Sequence, residues 1–149
     1  MKVIILAGGK GSRISEYTKK IPKPMIKILN KTILEHIIEI YAKQSFDDFY
    51  VLTGYKGILI SKYFSKYRLN KNLYQLKNIK KKIKISFIET GLNTMTGGRL
   101  KKIKSIFKNE DFMITYGDGL ANMNLKKLIN FHRKHKKIAT VTAVRPLSR

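Results

Sequence analysis

Four short segments of the chain hold residue types that do phosphate chemistry. Gly8-Gly9-Lys10-Gly11-Ser12-Arg13 follows an apolar run. Its glycines let the backbone approach a ligand closely and turn N–H groups into a concave anion site. It is not a P-loop, because the lysine precedes Gly11 and Arg13 follows Ser12. It is not a dinucleotide fingerprint either, because Ile14 stands where a third glycine is needed. Lys23 sits between Pro22 and Pro24. Proline pre-sets the backbone, so a lysine held this way loses little freedom on meeting an anion. Arg13 and Lys23 together place two cations over one polyphosphate. Thr94-Met95-Thr96-Gly97-Gly98-Arg99 opens a helix, with hydroxyls, free N–H groups and an arginine suited to an anion or a base edge. Asp118 lies between Gly117 and Gly119 after a strand, where a hard oxygen suits Mg²⁺ shared with phosphates. Each segment also has a plain structural reading: a tight strand-to-helix turn, a rigid proline turn, a turn capped by Thr96, and an ordinary aspartate turn.

The remaining composition narrows the classes. The chain carries 32 Lys+Arg against 9 Asp+Glu, a net charge of +23. Yet 26 of the basic residues are Lys and only 6 are Arg, and the lysines are scattered. Sequence readers of nucleic acid lean on Arg for bidentate contacts, so no nucleic-acid partner is expected. The absence of cysteine excludes disulfide frameworks and thiolate metal sites. Five apolar residues before Gly8 are too few for a signal segment, and no apolar run nears the roughly 18 residues of a membrane span. A soluble cytoplasmic protein with no membrane partner is the expectation. His36, His132 and His135 lack triad or metal partners by spacing and read as structural.

These segments need a scaffold, and the pattern supplies one. Lys2–Leu6, Phe49–Thr53, Ile83–Ile88, Phe112–Tyr116 and Ile138–Val144 read as strands. Helices are expected from the capping box at Thr32–Glu35, from Ile58 to Tyr67, around Leu100, Ile103 and Phe107, and after Asn124. Residues 68–82 are Asn- and Lys-rich and read as a surface excursion. Alternating strands and helices predict a Rossmann-like, doubly wound α/β fold: a mostly parallel sheet with helices on both faces, in one domain over 1–149. Such sheets bind ligands at the carboxyl ends of their strands.

Leu-Ala-Gly-Gly-x-Gly-Ser-Arg at residues 6–13, followed by Pro22-Lys23-Pro24-Met25, resembles the signature of the sugar-1-phosphate nucleotidylyltransferases. Thr90-Gly91, then Met95-Thr96-Gly97-Gly98-Arg99-Leu100-Lys101, resembles the glucose-1-phosphate cytidylyltransferase subfamily in particular. Gly54-Tyr55-Lys56-Gly57, Tyr116-Gly117-Asp118-Gly119 and Phe131-His132 match as well. The resemblance implies the nucleotide-diphospho-sugar transferase type of fold. It implies that Arg13 and Lys23 bind the triphosphate and are catalytic. Leu6, Ala7, Gly8, Gly9, Lys10, Gly11, Ser12, Thr94, Arg99 and Gly117 would border CTP, and Asp118 would hold Mg²⁺.

The implied reaction is an in-line attack of glucose 1-phosphate on the α-phosphorus of CTP, giving CDP-glucose and pyrophosphate. Nucleotide-sugar and O-antigen or lipopolysaccharide biosynthesis would be its setting. Another nucleoside triphosphate, or another acceptor such as phosphocholine, fits the same superfamily. A non-catalytic nucleotide or polyanion module is the reading outside it. The resemblance further implies that members continue beyond this length, with a second metal-binding aspartate and most of the sugar pocket there. The chain is thus expected to be a truncated, nucleotide-binding part with weak or no turnover alone. A homo-oligomer is compatible with that resemblance.

Overall fold

A computed structural model describes residues 1–12, 15–107 and 109–144. Six strands form one sheet in the order β5-β6-β7-β4-β1-β8. They are β1 (Lys2–Ala7), β4 (Asp48–Thr53), β5 (Arg68–Asn70), β6 (Leu73–Tyr74), β7 (Ile83–Glu89) and β8 (Phe112–Tyr116). β1 pairs in parallel with both β4 and β8, and β4 pairs in parallel with β7. The β5-β6 hairpin adds an antiparallel edge to β7. A separate two-stranded ribbon joins β2 (Lys27–Ile28) to β3 (Lys31–Thr32).

β1 is an unbroken apolar run because both of its faces are covered, as parallel central strands require. Val3, Ile5 and Ala7 enter one core with residues of α2 (Ile33–Lys43) and α3 (Gly57–Phe64), and with Leu125 of α6 (Leu125–His135). Ile4 and Leu6 enter a second, smaller core with Leu52 and Ile103. Leu100 of α4 (Thr96–Lys102) and Phe107 of α5 (Lys104–Phe107) close that side. The remaining helix, α1 (Ser15–Thr18), is a single turn after the glycine loop. The expected mostly parallel sheet with helices on both faces is therefore present.

Three expectations are corrected. Residues 68–82 are more than a surface excursion: they hold β5 and β6, and Tyr74, Leu76 and Ile79 are buried. Their apolar residues are separated by Asn and Lys, so no period betrays them. Ile138–Val144 forms no strand; Ile138, Val141 and Val144 are exposed. β propensity alone cannot make a strand without a neighbouring ladder. This segment is tied to α6 instead, where Thr140 Oγ1 lies 2.8 Å from both His132 Nδ1 and His135 Nε2. The helix around Leu100 to Phe107 is broken at Ile103, and its N-cap is Met95 with no side-chain cap, rather than Thr96.

The capping box at the start of α2 does two jobs. Thr32 Oγ1 accepts the Glu35 N–H (3.2 Å), and Glu35 Oε2 accepts the Thr32 N–H (2.8 Å). The same buried carboxylate accepts Tyr63 OH at 2.7 Å and Tyr67 OH at 2.6 Å, clasping α3 and the 3-10 turn Ser65–Tyr67 onto α2. Lys66 Nζ covers the Tyr63 ring, 3.6 Å from its centroid. Burial alone would raise the Glu35 pKa; the hydrogen bonds from Tyr67, the Thr32 N–H and Tyr63 outweigh it and hold the carboxyl below its ordinary value. Burial, and then the bond to Glu35, push the Tyr63 phenol up to about 12.

Glu35→Gln replaces a charged acceptor with an amide whose NH₂ faces donors. It is expected to cost about 2–3 kcal/mol in urea unfolding, since buried donors lose their acceptor. The pH profile follows from the shifts. The carboxylate's contribution is complete above the ordinary value of 4.5 and fades as pH falls through the lower folded value. The Tyr63 contribution is complete below 10 and fades as pH rises towards 12. In Glu35→Gln both slopes are expected to flatten, measured as midpoint against pH.

Candidate nucleotide-binding site

The sheet order places β8 on one side of β1, and β4 then β7 on the other. The chain reverses its direction of travel across the sheet between β1 and β8, and in open α/β sheets such a point leaves a crevice at the carboxyl ends. The Gly117 N–H continues the ladder past β8, donating to Leu6 O at 2.8 Å. A Cβ at Gly117 would lie 3.1 Å from both Leu6 O and Pro24 Cγ, so the Lys-Pro turn packs directly on this strand end.

That turn is a 3-10 helix, Lys23–Met25, led by Pro22 in extended conformation. Pro24 and Met25 are buried and leave Lys23 projecting. Lys23 Nζ reaches Asp118 Oδ2 at 2.6 Å, with both side chains about one-third exposed, at 34% and 32%. Such a half-exposed pair adds only about 0–1 kcal/mol to stability. Its importance is positional: two residues 95 apart in sequence meet at the crevice. The glycine loop lies against the same turn, since a Cβ at Gly11 would sit 3.4 Å from Lys23 Cβ. Gly11 has φ +65°, open to glycine at little cost. Gly8 is buried, whereas Gly9, Lys10 and Ser12 are exposed, and a Cβ on Gly9 would meet nothing within 4 Å. The loop's middle thus offers open backbone, its feet do not. Arg13 lies outside the described residues.

Arg99 is buried among protein acceptors, and Thr94 is half-buried. Arg99 is 5% exposed, and its guanidinium is spent on the protein. Nη2 donates to Gly8 O at 2.9 Å, and Nη1 donates to Thr53 O at 2.8 Å and to Thr90 Oγ1. It joins the carboxyl ends of β1 and β4 to the residue after β7. Burial lowers its pKa and the charge of Glu89 opposes that shift. Thr94 Oγ1 accepts from Lys102 Nζ at 3.4 Å, and the same ammonium caps Thr90 O at 2.7 Å.

Gly54-Tyr55-Lys56-Gly57 carries contacts that residue type did not foretell. The Tyr55 N–H donates to Gly8 O (3.1 Å) and its hydroxyl to Thr18 O (3.0 Å). Lys56 Nζ donates to Lys19 O and Lys20 O. The one signal available was the tight Gly-x-x-Gly spacing around Lys56, whose φ of 52° is left-handed.

Among the described residues no three His, Cys, Asp or Glu side chains gather for a metal. A divalent cation here would rest on the Asp118 carboxylate and on oxygens from a ligand, the arrangement usual for Mg²⁺. The Asp118 side chain is about one-third exposed and is paired with the Lys23 ammonium.

Known proteins resemble this chain in sequence and in fold. The Bacillus subtilis (strain 168) protein named "Probable glucose-1-phosphate cytidylyltransferase" is 43% identical over 99% of this chain and 62% of its own length. The glucose-1-phosphate cytidylyltransferase of Salmonella typhimurium is 39% identical over 100% of this chain and 62% of that relative. The chain therefore spans under two-thirds of these relatives. The crystal structure of HddC from Yersinia pseudotuberculosis complexed with GMP-PN superposes with a TM-score of 0.72 at 27% identity, covering 88% of this chain and 53% of that one. The fold is that of the nucleotide-diphospho-sugar transferases. The nucleotidyl transferase profile matches residues 2–147, and the chain belongs to that family.

Proposed function

We propose that the chain binds CTP at the carboxyl ends of β1 and β8, as the nucleotide half of an enzyme that converts CTP and glucose 1-phosphate to CDP-glucose and pyrophosphate. The observation that carries this reading is the meeting of Lys23, Asp118 and the glycine loop at the topological switch point. The names of the two cytidylyltransferase relatives support the base and the sugar.

The chemistry asks little of covalent catalysis. A phosphate oxygen of the sugar 1-phosphate attacks the α-phosphorus, that bond forms, and the bond to the bridging oxygen of pyrophosphate breaks. Positioning and charge neutralisation do the work. Lys23, fixed by two prolines, would sit against the phosphate oxygens and stabilise charge building on the leaving pyrophosphate. Arg13 is proposed for the same task. Backbone N–H groups of residues 9–12 would cradle the phosphates, and Leu6, Ala7 and Gly117 would form the wall below. Asp118 would hold Mg²⁺, which when bound supplies positive charge to the triphosphate.

Calorimetry of the 149-residue chain with CTP, UTP, dTTP and GTP in the presence of Mg²⁺ tests the reading. CTP is expected to bind tightest; preference for another base moves the chain to another nucleotidyltransferase specificity, and no binding by any nucleotide refutes the site. Lys23→Met is expected to weaken CTP about 10- to 100-fold, the size of one lost charged hydrogen bond. Asp118→Asn is expected to remove the gain in CTP affinity that Mg²⁺ gives, measured as the ratio of dissociation constants with and without the metal.

A further inference from the structure

The motif Gly54-Tyr55-Lys56-Gly57 and the buried Arg99 have no part in the chemistry above, yet both act on the glycine loop. The loop leaves β1 at Gly8 and returns through α1 to Lys20. Its first foot is the Gly8 carbonyl, which accepts from Arg99 Nη2 and from the Tyr55 N–H. Its second foot is the run of carbonyls at the end of α1. Thr18 O accepts the Tyr55 hydroxyl, and Lys19 O and Lys20 O accept Lys56 Nζ. Tyr55 therefore touches both feet, one with its backbone and one with its side chain. The left-handed turn at Lys56 sends its ammonium back towards α1. Inside the loop, Thr18 Oγ1 donates to Gly11 O at 3.1 Å and keeps the crown folded towards the second foot.

We propose that Tyr55, Lys56 and Arg99 are positioning residues that set the span between the two feet of the glycine loop, and so the aim of its open middle. Arg99 makes the first foot immovable: a Cβ at Gly8 would fall 2.1 Å from its Nη1, and one at Gly54 would fall 2.7 Å from the same atom. The two glycines thus admit the guanidinium, and the guanidinium anchors the loop. Tyr55 then acts as a spacer whose length is rigid from Cβ through the ring to the hydroxyl and whose only freedom is rotation about χ1 and χ2. Lys56 holds the two carbonyls beyond. The consequence for CTP rests on the function proposed above; the consequence for loop geometry does not.

The test uses the whole 149-residue chain and three variants: Tyr55→Phe, Lys56→Met and Arg99→Lys. Tyr55→Phe removes one hydroxyl and keeps the ring, so it leaves the fold in place. Tryptic cleavage after Lys19 and Lys20 is expected to rise about three- to tenfold in Tyr55→Phe and Lys56→Met, matching the loss of a single hydrogen bond. Cleavage at Lys80–Lys82, on the far side of the sheet order, is expected to stay unchanged. Arg99→Lys, whose single nitrogen cannot spread over acceptors that two guanidinium nitrogens reach, is expected to speed exchange of the Tyr55 amide hydrogen as well. CTP affinity is expected to fall three- to tenfold in Tyr55→Phe with the base preference kept. Equal acceleration at both tryptic regions would show general destabilisation and overturn the proposal. So would unchanged cleavage after Lys19 and Lys20, or CTP affinity unmoved by a loosened loop. Failure of the wild-type chain to bind CTP refutes the proposed function instead, and the proteolysis still decides the loop.

Discussion

A parallel sheet ends in unsatisfied carbonyls, and this fold depends on how those at the carboxyl ends of β1 and β4 are met. Backbone meets part of the demand: the Tyr55 N–H donates to Gly8 O at 3.1 Å and the Thr90 N–H to Thr53 O at 3.0 Å. One buried guanidinium then joins the same two carbonyls from beneath. Arg99 brings donors in a fixed plane to Gly8 O, Thr53 O and the Thr90 hydroxyl, and none of these acceptors is a carboxylate. Taking a cation out of water costs several kcal/mol. Bonds from a charged donor return about 1.5–3 kcal/mol each, so three of them offset that cost to within a small remainder. The charge of the nearby Glu89 carboxylate further favours the charged guanidinium.

That guanidinium explains the glycine pattern better than ligand approach alone. Gly8 and Gly54 lie in different motifs, yet both lack a side chain because Arg99 fills the space. Gly117 lacks one because Leu6 O and the Pro24 ring lie 3.1 Å away. Gly11 needs its positive φ. Among the described residues, Gly9 alone of the loop glycines has room around it, so neither packing nor a positive φ accounts for its missing side chain.

Much of this was legible in the residues. The apolar run Lys2–Leu6, the capping box at Thr32 and Glu35, and the turn at Asp118 depend on neighbours in sequence, and each formed where its pattern lay. What stayed hidden depends on partners distant in sequence. Arg99 read as a cation suited to an anion or a base edge because it opens a helix beside hydroxyls and glycines; its burial follows only once β1, β4 and β7 are side by side. Tyr55 carried no type signal for a loop support. The β5-β6 hairpin is held by Tyr74, Leu76 and Ile79, whose spacing among Asn and Lys matches neither helix nor strand period. Ile138–Val144 erred the other way, since its β-branched residues announce a strand for which β8 alone supplies no ladder.

The edge strand itself shows why the two sides of the sheet differ. β7 is shielded by the β5-β6 hairpin, antiparallel and short, which is a common way to blunt an edge. Among the described residues β8 pairs with β1 on one side, and Ile114 and Tyr116 are 44% and 60% exposed along it. Within those residues the strand is held chiefly by that one ladder. The Lys23–Asp118 contact then has a structural meaning beside its chemical one. It ties the loop after β8 to the Lys-Pro turn that packs over Gly117, at the end of the strand where the ladder stops.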